Sequence, residues 1–122
     1  AALYAGVPLS HITMSSDGNG SMPVFDDAGN PIGVGVGDQH SMFTELRDMV
    51  EEEDIAIDQA IQILSTNVAK ALHIHPKKGI LAPQSDADFI VITDDFELQR
   101  VWARGQQMVE DGQAIVKGTF EA

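Results

Sequence analysis

The chain has 122 residues, 43% of them hydrophobic, with no cysteine and 19 acidic against 7 basic side chains for a net charge of −12. That length supports one ordinary domain and requires no second, while the charge repels phosphate backbones and anionic lipid headgroups, disfavouring nucleic-acid and membrane-surface partners. The lack of cysteine excludes disulfides, thiolate metal sites and cysteine nucleophiles, and is compatible with a reducing compartment.

In chain order, Ala1-Ala2-Leu3-Tyr4-Ala5 resembles the last turns of a helix stopped by Gly6 and Pro8. No N-cap precedes it, so the chain is expected to begin in mid-element. The first residues carry no basic flank, and no apolar run approaches the roughly 20 residues of a membrane span, which predicts a soluble chain. A short strand is expected over residues 11–15, and it delivers Asp17 into the turn Asp17-Gly18-Asn19-Gly20-Ser21. Small residues there leave the carboxylate unshielded and let a ligand approach the backbone. Residues 17–37 read as a glycine-rich, irregular loop, with Gly33-Val34-Gly35-Val36-Gly37 as a hinge before the next helix.

A helix follows from Asp38 or Ser41 to about Glu52, with Met42, Leu46, Met49 and Val50 on its apolar face and Glu51-Glu52-Glu53-Asp54 as a solvated end. A second is predicted over residues 57–64 and a third over residues 68–72, with Ser65-Thr66-Asn67 offering its cap. Beyond His75-Pro76-Lys77-Lys78-Gly79 the pattern changes. Phe89-Ile90-Val91-Ile92 reads as a buried strand and residues 99–103 as an alternating one. Residues 107–110 should pair with residues 114–116 across the hairpin dipeptide Asp111-Gly112. Met42, Met49 and Met108 are expected in cores.

Certain segments carry a family resemblance: Ser16-Asp17-Gly18-Asn19-Gly20-Ser21 with Pro23-Val24-Phe25-Asp26-Asp27, Gly79-Ile80-Leu81 with Asp86-Ala87-Asp88-Phe89, and Val109-Glu110-Asp111-Gly112 with Val116-Lys117-Gly118-Thr119-Phe120. Over essentially its whole length the chain resembles the C-terminal part of the amidohydrolase superfamily, and within it the isoaspartyl dipeptidases. The resemblance implies an α/β fold class. Residues 1–75 would be the C-terminal segment of a metal-dependent (β/α)8 barrel, its last strand and following helices, and residues 76–122 the C-terminal strands of a small β-sandwich domain.

On that resemblance residues 12–16 are the eighth barrel strand, and Asp17 stands at its C-terminal end, where barrel enzymes place their chemistry. Asp17 would then be both a metal ligand and the catalytic group that takes a proton from the attacking hydroxide and passes it to the leaving amine. Ser21 would contact the carboxylate end of a bound dipeptide, with Gly20 opening room for its backbone. Without the resemblance, Asp17 reads as a residue that caps or turns its loop, and Ser21 as a plain turn serine. The implied cofactor is zinc, two ions in the intact enzyme with most ligands absent from this chain. The implied partners are small β-aspartyl dipeptides, the missing N-terminal part of the same protein and further copies in a homo-oligomer, in the cytoplasm.

His73-Ile74-His75 copies a His-X-His metal pair but follows a helix that leads into the β unit, so it reads as a surface or packing pair. A calcium loop from Asp17 fails because Met22 stands where a turn glycine is required and Ala28 where the bidentate glutamate belongs. Two rivals remain: another amidohydrolase, dihydroorotase-like or hydantoinase-like, and a non-catalytic assembly module.

Overall fold

The apolar spacing of Met42, Leu46 and Met49 does produce a helix, α1 (Ser41–Glu51), in a computed structural model of the protein that describes residues 2–118. Its inner face buries Leu46 and Met49, while Met42 is half-buried and the acidic run from Glu51 to Asp54 is exposed. The chain divides into two units, residues 1–67 and residues 68–122.

In the first unit α1 packs against α2 (Ile57–Ile61), and Ala60, Ile63, Leu46 and Met49 form the core. The expected break before a third helix does not occur. A π turn (Gln62–Thr66) runs straight into α3 (Asn67–Ala71), and the division between the two units falls after Asn67. The Asn67 N–H donates to the Gln62 carbonyl five residues back, so the turn inserts one extra residue into the helical ladder. Asn67 is therefore no cap. It is 3% exposed, and its side chain works over long range: Nδ2 donates to the carbonyls of Leu9 at 2.7 Å and Ile12 at 2.8 Å, and Oδ1 accepts from Gln62 Nε2 at 3.2 Å.

At the start of the chain the Gly6 N–H donates to Leu3 O and the Val7 N–H to Ala2 O, with Gly6 at φ 83°. This is the paired bonding of a helix C-terminus closed by a left-handed glycine, although residues 2–6 themselves form turns. A 3₁₀ turn (Leu9–His11) then packs against the π turn. Residues 12–16 run without a strand ladder, so the strand expected there is not formed among the described residues. A parallel strand obtains its ladder only from neighbours, and here the Ile12 carbonyl is taken by Asn67 instead.

The loop expected over residues 17–37 is an antiparallel hairpin, β1 (Ser21–Phe25) with β2 (Pro31–Val36). Residues 33–37 are thus mostly strand rather than hinge. Alternation explains it: Met22 and Val24 lie opposite Gly35 and Gly33, so each large side chain faces a position with none. Asp26 closes the tip, its Oδ1 accepting from the Ala28 and Asn30 N–H groups at 3.0 and 2.8 Å. The Asn30 backbone bond is the main reason the Asp26 carboxyl sits below the usual carboxylate range.

The second unit is a four-stranded antiparallel meander, β3 (Phe89–Ile92), β4 (Leu98–Ala103), β5 (Gln106–Glu110) and β6 (Gln113–Ala114). Asp111 and Gly112, at φ 48° and 74°, make the expected turn between β5 and β6. The last strand is shorter than the alternation suggests, because Ile115 and Val116 both donate to the Met108 carbonyl and break the ladder. Nor is β3 buried. It is an edge strand, and Ile90 and Val91 remain 46% and 41% exposed. Met108 is half-buried, and Phe89 stacks on Trp102 with ring centroids 4.6 Å apart. Of the closing segment of the resemblance, Thr119 and Phe120 lie outside the described residues.

Asp88 binds this unit together. Its Oδ1 accepts the Arg104 N–H at 2.7 Å in the β4–β5 turn, and its Oδ2 pairs with the Lys78 ammonium, which also lies 2.9 Å from Asp86. Lys78 first and the Arg104 N–H second hold the Asp88 carboxyl below its ordinary value, and the two carboxylates raise that of Lys78. The contribution of Asp88 is therefore complete above about pH 3.9, the unperturbed value, and is lost as pH falls through the lowered folded value. Fluorescence of Trp102, the single tryptophan, should show this unit loosening in acid, and Asp88→Asn should be less stable at neutral pH with a flatter acid limb. In the first unit, Asn67→Ala leaves the Ile12 carbonyl without its amide partner and should lower stability by about 1–3 kcal/mol, read as a shift in denaturant midpoint at unchanged slope.

Candidate active-site turn

Residues 12–16 lead out of the Asn67 anchor into a turn that no bulky residue can build. Asp17 and Asn19 both take left-handed backbone angles, φ 47° and 64°, a region that short polar side chains tolerate better than most. The Gly20 N–H donates to the Asp17 carbonyl at 2.9 Å, the Asn19 N–H to Gly37 O at 3.0 Å and the Gly37 N–H to Gly20 O at 2.9 Å. The base of the β1–β2 hairpin thereby clamps the turn on both sides. Ser16 Oγ accepts the Gly18 N–H at 3.1 Å and closes its entry.

Three glycines are there because Asp17 and its neighbours occupy their side-chain space. A Cβ on Gly20 would stand 2.9 Å from both Asp17 Cγ and Oδ2, and one on Gly37 would stand 2.7 Å from the Asp17 carbonyl oxygen. On Gly18 it would meet Gln39 Cγ at 2.7 Å. The Asp17 carboxyl thus lies against the bare Gly20 backbone, is exposed, and accepts no hydrogen bond among the described residues. A carboxylate held by backbone geometry and not consumed by partners is available to a ligand or a proton. Ser21, exposed, opens β1 opposite Val36. Asp17 and Gly20 are thus brought together, and Ser21 follows on the first rung of the hairpin.

Gly37 and Gln39 escaped sequence reasoning. Their signal was the spacing of Gly33, Gly35 and Gly37, the first two opposite Val24 and Met22 and the third meeting Asp17, a pattern visible only once the segment is read as a strand. His73, at φ 58°, is exposed and His75 half-buried in the turns after α3. Among the described residues no three His, Asp or Glu side chains converge as a metal site. A catalytic zinc takes three protein ligands, so the residues present do not by themselves fit one.

The Amidohydrolase family model matches residues 1–108, and the chain belongs to that family of hydrolases, which is generally metal-dependent. Within it, the similarity is to β-aspartyl dipeptidases. The chain aligns over 98% of its length, at 34% identity and a TM-score of 0.78, with the β-aspartyl dipeptidase of the thermophilic keratin-degrading Fervidobacterium islandicum AW-1 in complex with the dipeptide β-Asp-Leu. A second structure of a β-aspartyl dipeptidase from that organism aligns over 97% of the chain, at 26% identity and a TM-score of 0.73. Adenine deaminase 1 of Latilactobacillus sakei is 40% identical over 55 residues, 43% of this chain and 9% of the deaminase. The chain spans less than a third of the two dipeptidase structures, 31% and 28% of their lengths. The two small sheets and few helices are therefore a segment of the dipeptidase fold, as the sequence resemblance implied. No helix among the described residues is long and apolar enough to cross a membrane.

The clamp makes a paired prediction. Gly37→Ala must push the turn at Asp17 and should cost about 1–3 kcal/mol, the range for overpacking. Gly33→Ala, whose Cβ meets nothing within 4 Å, should be near neutral in the same denaturation experiment.

Proposed function

We propose that this chain is the aspartate-bearing part of a hydrolase that cleaves the β-aspartyl peptide bond of dipeptides. The observation that carries the reading is the unpaired Asp17 carboxylate, seated on Gly20 in a chain that aligns almost end to end with a dipeptidase bound to β-Asp-Leu. Residues 1–75 are assigned to the end of the barrel and residues 76–122 to the β domain, with the remaining barrel strands supplied by the larger protein. Asp17 accepts the proton of the attacking water and returns it to the leaving amine, a role that requires a carboxylate to be ionised and free of fixed partners. Ser21 donates its hydroxyl to the substrate carboxylate, and Gly20 admits the substrate backbone. Two zinc ions with Asp17 as one ligand, assembly as a homo-oligomer and a cytoplasmic location belong to the same proposal.

The likeness to an adenine deaminase favours one competing reading, hydrolytic removal of an exocyclic amine. A carboxylate that moves protons would serve either reaction. The complete protein incubated with β-Asp-Leu and, separately, with adenine should release aspartate and leucine from the first and no ammonia from the second. Ammonia from adenine without dipeptide cleavage would overturn the proposal. In the active enzyme Asp17→Asn and Asp17→Ala should each lower turnover by about 10²–10⁴-fold, whereas Ser21→Ala should weaken kcat/KM by about 1–3 kcal/mol and leave metal content unchanged.

A further inference from the structure

The chain contains three asparagines, and the structure gives each a different chemical fate. Asn30 precedes Pro31, whose nitrogen carries no hydrogen. Asn67 is 3% exposed, and both its side-chain nitrogen and oxygen are engaged. Asn19, exposed like Asn30, is the one that combines exposure with no side-chain hydrogen bond among the described residues and a following glycine with no Cβ to shield the amide nitrogen.

We propose that Asn19-Gly20 is a site of spontaneous deamidation, restrained in the folded chain by the bond from the Gly20 N–H to the Asp17 carbonyl. The Gly20 nitrogen, on losing its proton, attacks Asn19 Cγ and expels ammonia to form a cyclic imide. Water then opens that ring at either carbonyl, giving an aspartyl or an isoaspartyl residue. The net change is amide plus water to carboxylate plus ammonium, with no oxidant or further reactant. While the Gly20 N–H is bonded to Asp17 O at 2.9 Å and Gly20 O to the Gly37 N–H at 2.9 Å, the nitrogen is not free to attack. Conversion therefore proceeds through opening of the turn.

The product would act on Asp17. It places a second negative charge two residues from the Asp17 carboxylate. The isoaspartyl form also adds a carbon to the backbone inside a turn that Gly20 and Gly37 fit without space to spare. The proposal stands whether or not Asp17 carries the proton in catalysis. It does bear on Asp17→Asn, whose new amide would precede Gly18 and could return to the acid by the same chemistry, so Asp17→Ala is the sounder comparison.

The test is incubation of the protein in mildly alkaline buffer, folded and in denaturant, with peptide mapping by mass spectrometry and enzymatic methylation of isoaspartate. The amide-to-acid mass gain should fall on the peptide containing Asn19, not on those containing Asn30 or Asn67, and should accumulate several-fold faster in denaturant. Asn19→Gly, which keeps the left-handed φ without the amide, should abolish it. Equal conversion at all three asparagines, or none at Asn19 in the unfolded chain, would overturn the site assignment. Equal rates at Asn19 with and without denaturant would overturn the restraint.

Discussion

One buried amide holds the first unit in register. Asn67 spends its side-chain nitrogen on two backbone carbonyls nearly 60 residues upstream and its oxygen on Gln62. Buried polar groups are tolerated only when so satisfied, and satisfying this one fixes where the chain after the 3₁₀ turn must run. The π turn is part of the device, since its extra residue bonds the Asn67 N–H to the Gln62 carbonyl and brings the two side chains together. From Ile12 it is only five residues to Asp17, so the anchor is also the upstream support of the carboxylate.

Downstream support is of another kind. No side chain of β1 or β2 is buried, and the hairpin tip is organised by Asp26 with Asn30. Its contribution is backbone: Gly20, Gly37 and Asn19 exchange hydrogen bonds around Asp17 at distances that leave no room for a Cβ. A charge presented this way needs no side-chain partner to orient it, which leaves both oxygens available for chemistry. The second unit follows a separate logic, in which Lys78, Asp86 and Asp88 tie a loop to the Arg104 turn through charge-assisted bonds.

Local signals were read well where they act locally. The three-and-four spacing of Met42, Leu46 and Met49 needs nothing beyond α1 to be interpreted, and Asp111-Gly112, between two alternating runs, takes positive φ at both positions as a two-residue hairpin turn requires. Failures came where the deciding partner is distant. Ser65-Thr66-Asn67 has the composition of a helix cap, and only Leu9 and Ile12 reveal why Asn67 is buried instead. The glycines at 33, 35 and 37 weaken any strand pattern taken singly, whereas opposite Val24 and Met22 and against Asp17 they complete one. Phe89-Ile90-Val91-Ile92 has the run of a covered strand but lies at a sheet edge. Asp17 itself was legible as a candidate, from a carboxylate set among small residues and from the family resemblance. Its clamp was not.

In the proposed enzyme the Asn67 anchor and the glycine clamp would present Asp17 to a β-aspartyl dipeptide. A crystal structure of the complete protein with β-Asp-Leu tests it most directly. The account predicts an Asp17 carboxylate oxygen within hydrogen-bond reach of the scissile amide nitrogen, about 3 Å, with the Gly20 and Gly37 bonds intact. A dipeptide bound with Asp17 turned away, and another carboxylate beside the scissile bond, would contradict it.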